Sequence, residues 1–183
     1  SLLPHSFPLI KELFHRLDDF PKEITWAIDE IVNILKVTDF TAIKKEFSDY
    51  SVASQASFSS LVKERKILTR PDLVLRKGRD NYPLILDAKY KREDKNADYY
   101  QIISYCLAIP NVKAGCLIYP QTEKDVDKEL TLRTNIIAPE KDIILYARTV
   151  DLHIEEDMEF EKYIKKIKSQ IKDIISDCLK ELE

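Results

Sequence analysis

The stretch RPDLVLRKGRDNYPLILDAKYK, residues 70–91, decides the fold of this chain. Its first part, PDLVLR, alternates in a way that is typical of a β-strand. A polar turn, KGRDN, follows, and YPLILDAKYK is then almost wholly apolar until it becomes charged at its end. A buried strand that delivers charged groups to a site has this pattern. We therefore predict two adjacent strands, joined by a turn near residues 78–81.

This hairpin brings two aspartates towards each other. Asp72 opens the first strand and Asp87 lies near the end of the second, so antiparallel pairing places their carboxylates close together. Lys89 leaves the same face of the strand as Asp87, because side chains two residues apart share a face. Two converging carboxylates repel each other unless a cation lies between them, and their oxygens suit Mg²⁺ or Mn²⁺. We expect a divalent metal site here.

A metal beside an ammonium group has the parts needed for phosphodiester hydrolysis. The cation lowers the pKa of a bound water and neutralises charge on the phosphate, while Lys89 orients the water or stabilises the transition state. A PD pair or a DxK triplet alone is common at solvated turns and strand ends. The joint pattern favours a site, since Asp87 directly follows the apolar run PLIL, where a surface ion pair is unusual.

The next element is a predicted helix from Ala97 to Ile109, which Pro110 ends. Gln101 and Tyr105 are four residues apart on it and therefore share one face. That face is either an ordinary half-buried helix surface or a part of the site. Because the preceding motifs favour a site, we expect the face with Gln101 and Tyr105 to point back over the strand ends.

The other periodic segments predict an α/β layered domain, with a mixed sheet of about five strands flanked by helices. Further elements are predicted as a helix at 22–36, strands at 41–52, 113–119, 132–138 and 142–150, and a loop at 121–130. Apolar residues from Phe160 to Leu182 recur at steps of three and four, which predicts a long C-terminal helix. This stripe favours packing on the sheet, with a dimer seam as the alternative.

The length of 183 residues predicts a single domain. We divide it into a leading segment, 1–21, a core, 22–150, and a C-terminal helical segment, 151–183. No apolar run approaches the roughly 20 residues that cross a bilayer, and no basic segment precedes a long apolar block. We expect a soluble, cytoplasmic protein with no membrane partner.

Composition also argues against several classes of site. The chain has two glycines, too few for a phosphate-binding loop, so we do not expect it to hydrolyse nucleotides. Its three cysteines lie far apart without ligand spacing and predict buried packing, and its three histidines are scattered. The net charge of −3 gives no general sign of a nucleic-acid partner, so local cations must supply one.

The strings RPDLVL, LILDAKYK, ADYYQIISY and AGCLIYP resemble the nuclease domain of McrC, the cleavage subunit of modification-dependent restriction systems, within the PD-(D/E)XK superfamily. The resemblance covers residues 22–150 and is most specific from Arg70 to Pro120. It implies a restriction-endonuclease-like core and Mg²⁺-dependent DNA cleavage, in which Mn²⁺ substitutes. It also implies a GTP-hydrolysing AAA+ partner, McrB.

The resemblance assigns metal ligands residue by residue. Asp72 and Asp87 would bind the cation, with help from the Ala88 carbonyl. The superfamily often adds an acidic residue from the helix before the sheet, and WAIDEIVNIL puts Glu30 at that place. This match is loose because Asp29 is adjacent, so Glu30 either faces the metal or is a solvated helix residue.

The remaining roles concern the water and the DNA. The resemblance implies that Lys89 acts on the attacking water and that Gln101 and Tyr105 support the site or the DNA. The cations expected to contact phosphates are Arg70, Lys91 and Arg92. Lys77 and Arg79, in the hairpin's turn, are more typical of a solvated loop.

McrC-like proteins have an additional amino-terminal region that engages McrB, and here only residues 1–21 precede the first predicted helix. We therefore expect an isolated nuclease domain or a short relative, and a homodimer on DNA, because cutting two strands needs two active sites. One alternative is a nuclease-fold module that binds DNA or an assembly partner without cutting, which the intact Asp72, Asp87 and Lys89 disfavour. Another alternative is an RNA-processing or repair nuclease of the same superfamily, which the sequence does not distinguish from a DNA endonuclease.

Overall fold

A computed structural model of the chain describes residues 49–54, 56–59, 62–89, 95–121, 128–132 and 142–182. Some of the predicted features concern residues outside these ranges. They are the helix at 22–36 with Glu30, most of the strand at 41–52, and the two cations Lys91 and Arg92.

The described residues form one mixed sheet and two long helices. In chain order these are β1 (Ser51–Ser54), β2 (Leu73–Arg76), β3 (Leu84–Ala88), α1 (Asn96–Ala108), β4 (Ala114–Pro120), β5 (Lys128–Leu132), β6 (Ile143–Val150) and α2 (Phe160–Lys180). The sheet has six strands in the order β1-β2-β3-β4-β6-β5, where we had predicted about five. Strands β3, β4 and β6 are parallel, and the other pairs are antiparallel. The predicted α/β class and mixed sheet are confirmed.

The predicted hairpin is confirmed as β2 and β3, which pair with Leu73 opposite Leu86 and Leu75 opposite Leu84. The turn between them begins with Lys77, whose backbone N–H donates to the Asn81 carbonyl at 2.9 Å. Gly78 has a φ of 74°, a left-handed conformation that glycine adopts without steric cost. The turn therefore lies where the sequence indicated.

Each face of the sheet is covered by one helix, which gives three layers. Side chains alternate along β3, so Leu84 and Leu86 pack with α2, while Ile85 packs with α1. The apolar stripe of α2 lies in the same core cluster as Leu84 and Leu86, so it packs on the sheet as predicted. Asp87 follows the same alternation as Ile85 and therefore belongs to the α1 face.

Helix α1 approaches β4 closely at Gly115. A Cβ at this position would lie 2.8 Å from Ile102 Cγ1 and 3.2 Å from Cys106 Sγ, both on α1. Any side chain here would push the helix away from the sheet. Because Gln101 precedes Ile102 on that helix, the absent side chain also helps to set the position of the candidate site.

We expect Gly115→Ala to lower the free energy of unfolding by about 1–3 kcal/mol, the usual cost of overpacking a core. Urea denaturation measures this change. The double variant Gly115→Ala/Ile102→Val should recover part of the loss, because valine lacks the Cδ1 atom that would lie 3.0 Å from the new methyl group. A Gly115→Ala protein as stable as the wild type would show that α1 does not need this close approach.

The predicted loop at 121–130 is wrong at residues 128–130, because Lys128–Leu132 form β5. Of the predicted strand at 132–138, Leu132 lies in β5, and residues 133–138 lie outside the described residues. Tertiary pairing explains the difference, since β5 is the outermost strand and its pairing with β6 sets its register. Leu130 is 44% exposed, which is typical of an edge strand. Such a strand forms without the apolar run that marks a buried strand in the sequence.

Cys106, Cys116 and Cys178 are buried thiols, as predicted. Burial raises the pKa of the Cys106 thiol to about 12, so this group stays protonated and is a poor nucleophile near neutral pH. Neither of the two long helices is both apolar and long enough to cross a bilayer, within the residues described above.

Candidate active site

The two candidate metal ligands lie on paired strands. Asp72 directly precedes β2 and Asp87 is the fourth residue of β3. Extending the observed register by one pair beyond Leu73 and Leu86 places the two aspartates opposite each other. Both then follow the side-chain alternation that faces α1. The structure thus brings together the two carboxylates that the sequence predicted as neighbours.

Asp72 is anchored to the backbone of β3. Its Oδ2 atom accepts a hydrogen bond from the Ala88 N–H at 2.9 Å. The Asp72 carboxylate also raises the pKa of Asp87 by its charge, which indicates that the two groups interact electrostatically. The Ala88 amide therefore holds Asp72 beside Asp87, while the predicted metal contact of the Ala88 carbonyl stays a prediction.

Lys89 lies between the strand and the helix and is only 8% exposed. Its ammonium forms an ion pair with Asp87 Oδ2 and donates a hydrogen bond to Gln101 Oε1. Its backbone N–H donates to the Ile118 carbonyl at 2.7 Å, which fixes the chain just after β3. A buried ammonium needs such partners, because desolvation without them is costly.

Gln101 and Tyr105 complete this network from α1. Gln101 Nε2 donates to the Tyr105 hydroxyl oxygen at 2.8 Å, one helical turn further on. Burial, and to a smaller extent the charge on Asp87, raise the pKa of Tyr105 to about 12. Tyr105 is therefore a neutral phenol at physiological pH and is suited to orienting Gln101 rather than to removing a proton.

Burial is the main reason that the pKa of Asp87 is raised to about 6. The Lys89 ammonium opposes this shift and the Asp72 carboxylate adds to it. Asp87 is only 5% exposed, so water does little to stabilise its charge. A carboxylate in these surroundings binds a proton or a metal cation more readily than one on the surface does.

The donor set fits a hard divalent cation. The described residues contain no group of three or more His, Cys, Asp or Glu side chains that could hold a metal ion. A zinc site of three or four nitrogen and sulfur ligands therefore does not fit this part of the chain. Mg²⁺, in contrast, is commonly bound through one or two carboxylates, with waters and substrate phosphates as further ligands. Asp72 and Asp87 provide that number.

Metal affinity should depend on pH through Asp87. Its pKa of about 6 lies above the ordinary 3.8, so protons compete with the cation below about pH 6. We expect the Kd for Mn²⁺ to fall by up to ~10-fold for each pH unit up to that point and to level off above it, since one proton is displaced. Calorimetric titrations from about pH 5 to about pH 8 measure this. An affinity that is constant over the range would contradict a role for Asp87 as ligand.

The sequence did not indicate a second buried carboxylate near the site. Asp98, in the first turn of α1, is 2% exposed and accepts a hydrogen bond from the Tyr119 hydroxyl at 3.0 Å. It also accepts one from the Lys95 backbone N–H at 3.3 Å. These contacts tie the start of α1 to β4, one turn before Gln101. The available signal was the position of Asp98 three residues after Lys95, where helix-capping acids are common.

The predicted DNA-contacting residues are only partly described. Arg70 is exposed and lies two residues before Asp72, and its Nε donates to Ser57 Oγ at 3.1 Å. Arg70 therefore lies close to Asp72 along the chain, and its contact with DNA stays a prediction. Lys91, Arg92 and Glu30 fall outside the described residues.

Comparison with known proteins gives one family match. Residues 33–120 match the model of the McrBC 5-methylcytosine restriction system component. None of the curated proteins compared with the chain matches it.

One solved structure gives a weaker match. It is a chain of the tetradecameric assembly of Thermococcus gammatolerans McrB AAA+ hexamers with bound McrC, with 17% sequence identity and a TM-score of 0.46. The match covers 71% of this chain and 30% of that one, so the present chain corresponds to less than a third of its length. The family match at 33–120 contains Asp72, Asp87, Lys89, Gln101 and Tyr105. The chain is therefore similar to the components of McrBC 5-methylcytosine restriction systems, which confirms the predicted resemblance.

Proposed function

We propose that this chain is a metal-dependent DNA endonuclease domain of the PD-(D/E)XK type and the cleavage module of a modification-dependent restriction complex. The observation that carries the proposal is the convergence of Asp72, Asp87 and Lys89 at paired strand ends, with Gln101 of α1 bonded to the lysine. The match to the McrBC restriction family supports it.

In this proposal, Asp72 and Asp87 hold Mg²⁺, or Mn²⁺ as a substitute. When bound, the cation supplies a more acidic water and neutralises charge on the scissile phosphate. Asp87 must be ionised to serve as ligand, which its pKa of about 6 permits at neutral pH. A cation held by Asp87 would weaken the hold of that carboxylate on Lys89. The ammonium, which is bonded to Gln101, would then be available to orient the water or to stabilise the phosphate oxygens.

The hydrogen-bond network around Lys89 supports a catalytic site rather than one that has lost its activity. Lys89 and Asp87 are both buried, and burying charged groups is costly even when they are paired. A platform that only binds DNA gains nothing from such an arrangement. Gln101 and Tyr105 add two further polar groups whose hydrogen bonds restrict the lysine to one position.

The proposed partner is a GTP-hydrolysing AAA+ protein of the McrB kind. The family match supports it, and this sequence has too few glycines for a phosphate-binding loop of its own. In the same proposal the protein acts in the cytoplasm and as a homodimer on DNA, because a double-strand break needs two active sites.

The test is a cleavage assay on methylated and unmethylated duplex DNA and on RNA, with and without the AAA+ partner. We expect Mg²⁺-dependent cleavage of DNA that EDTA abolishes. Cleavage of RNA alone would assign the chain to RNA processing within the same chemistry. A protein that binds Mn²⁺ yet cuts no nucleic acid under any of these conditions would contradict the proposal.

A further inference from the structure

Helix α2 concentrates positive charge in its first half. Between Phe160 and Lys172 lie five lysines and a single glutamate, although the whole chain has a net charge of −3. The buried stripe of α2 packs on the sheet and leaves the opposite side of the helix to solvent. Four lysines at steps of three and four lie away from the buried stripe: Lys162 and Lys165 are exposed, and Lys168 and Lys172 are half-buried. We refer to these four residues as the lysine face.

The lysine face carries more positive than negative charge, with Glu161 as the acid that lines the same groove. Lys166 points to another side of the helix and pairs with Asp151 at 2.7 Å, and Lys180 pairs with Asp177 at 3.6 Å. None of the four ammonium groups of the lysine face forms an ion pair with a carboxylate in the described ranges. Like charges three and four residues apart destabilise a helix. A bound polyanion would remove that repulsion.

The lysine face lies on the α2 side of the sheet, opposite the α1 side that carries the candidate metal centre, but both lie towards the carboxyl ends of the parallel strands. The end of α2 is near the start of β4 and β6, because Lys113 Nζ donates to the Leu182 carbonyl and the Tyr146 hydroxyl to Glu181. Gln170 meets Asp151 just after the end of β6. Helix α2 therefore runs antiparallel to β4 and β6, and its first half lies near the carboxyl ends of the parallel strands, where Asp87 is.

An open groove runs along α2 beside these lysines. It is lined by three lysines, one acid and three other residues, namely Lys165, Lys168, Lys172, Glu161, Phe160, Ile164 and Ser169. The apolar floor supports the aliphatic parts of the lysines, which leaves the ammonium groups at the rim. The groove itself is too small for a duplex, but its rim presents a row of cations to a surface that lies over it.

We propose that the lysine face binds the phosphate backbone of duplex DNA, as a second contact separate from the metal centre. The inference rests on the proposed function, in which DNA is the substrate. Lys165 and Lys172 are about 10 Å apart along the helix axis, and a duplex carries a phosphate charge about every 1.7 Å of its axis. The row of lysines is therefore long enough to contact several successive phosphates of one strand.

The test measures binding alone, without cleavage. Full-length wild-type protein and the variant Lys165→Gln/Lys168→Gln/Lys172→Gln are titrated, in EDTA, into a fluorescein-labelled duplex of about 20 base pairs. Fluorescence anisotropy is recorded between about 50 and about 200 mM KCl. We expect the triple variant to bind ~10-fold or more weakly at the lower salt concentration. Its plot of log K against log salt should be less steep by about 2 to 3, because each lysine that no longer neutralises a phosphate reduces the slope by about 0.9.

The control variant Arg79→Gln/Lys113→Gln/Lys180→Gln removes the same charge near the amino ends of the parallel strands, away from the lysine face. It should bind DNA like the wild type, and equal weakening in both variants would overturn the inference. A lysine-face variant that binds DNA like the wild type would also overturn the inference. This holds even if that variant no longer binds an acidic protein partner. Absence of cleavage by a wild-type protein that shows the expected binding pattern would contradict the proposed nuclease function and leave this inference standing.

Discussion

Asp87→Asn is expected to lower the rate of Mg²⁺-dependent DNA cleavage at least ~10³-fold while the protein stays folded. Asparagine has nearly the shape of aspartate, so the strand end and the hairpin are retained. It lacks the negative charge that a hard cation requires, and only Asp72 would remain as a carboxylate ligand within the described residues. The loss should appear in cleavage and in Mn²⁺ binding together.

The matched control is Asp177→Asn, the same chemical change at an exposed residue of α2 whose pairing partner is Lys180. It should cleave DNA at the wild-type rate. Circular dichroism of both variants checks the fold. An Asp87→Asn protein that keeps wild-type cleavage and metal dependence would remove Asp87 from the site and with it the basis of the proposed function.

Lys89→Met should separate metal binding from catalysis. We expect cleavage to fall by about 10²- to 10⁴-fold, because the ammonium that acts on the water or the phosphate is lost. Mn²⁺ should bind more tightly than to the wild type. In the metal-free structure the ammonium is paired with Asp87, so a cation must displace it and also approach its positive charge. Methionine removes both obstacles and fills a similar volume.

Calorimetric Mn²⁺ titration and a cleavage assay on the same samples distinguish this from general damage. Lys113→Met, at the opposite edge of the sheet, is the control and should change neither property. If Lys89→Met loses Mn²⁺ binding, the lysine builds the metal site instead of competing for it. If cleavage is unchanged, Lys89 has no catalytic part.

The features that the sequence predicted well depend on neighbours along the chain. The hairpin follows from two apolar runs and a turn with Gly78, and its register follows from the short loop. The pairing of Asp87 with Lys89 follows from strand periodicity, and that of Gln101 with Tyr105 from helix periodicity. The grouping of these side chains could therefore be predicted from local sequence patterns alone.

The features that the sequence did not predict depend on distant partners. The position of β5 is set by its pairing with β6 at the sheet edge, and its own residues carry a weak strand signal. The hydrogen bond from Tyr119 to Asp98 joins β4 to α1 across the core, so neither residue indicates it alone. The close approach at Gly115 likewise appears only once the helix is packed.

The five candidate site side chains come from one run of chain, from Asp72 to Tyr105, through β2, β3 and α1. Contacts between nearby residues require little loop closure and tend to form quickly during folding. We therefore expect the chemical centre to take shape early as the chain is synthesised, before β6 and α2 have been made. Insertions in the connection between β4 and β6 would then alter the packing of β6 and α2. They would leave the spacing of the reactive groups unchanged.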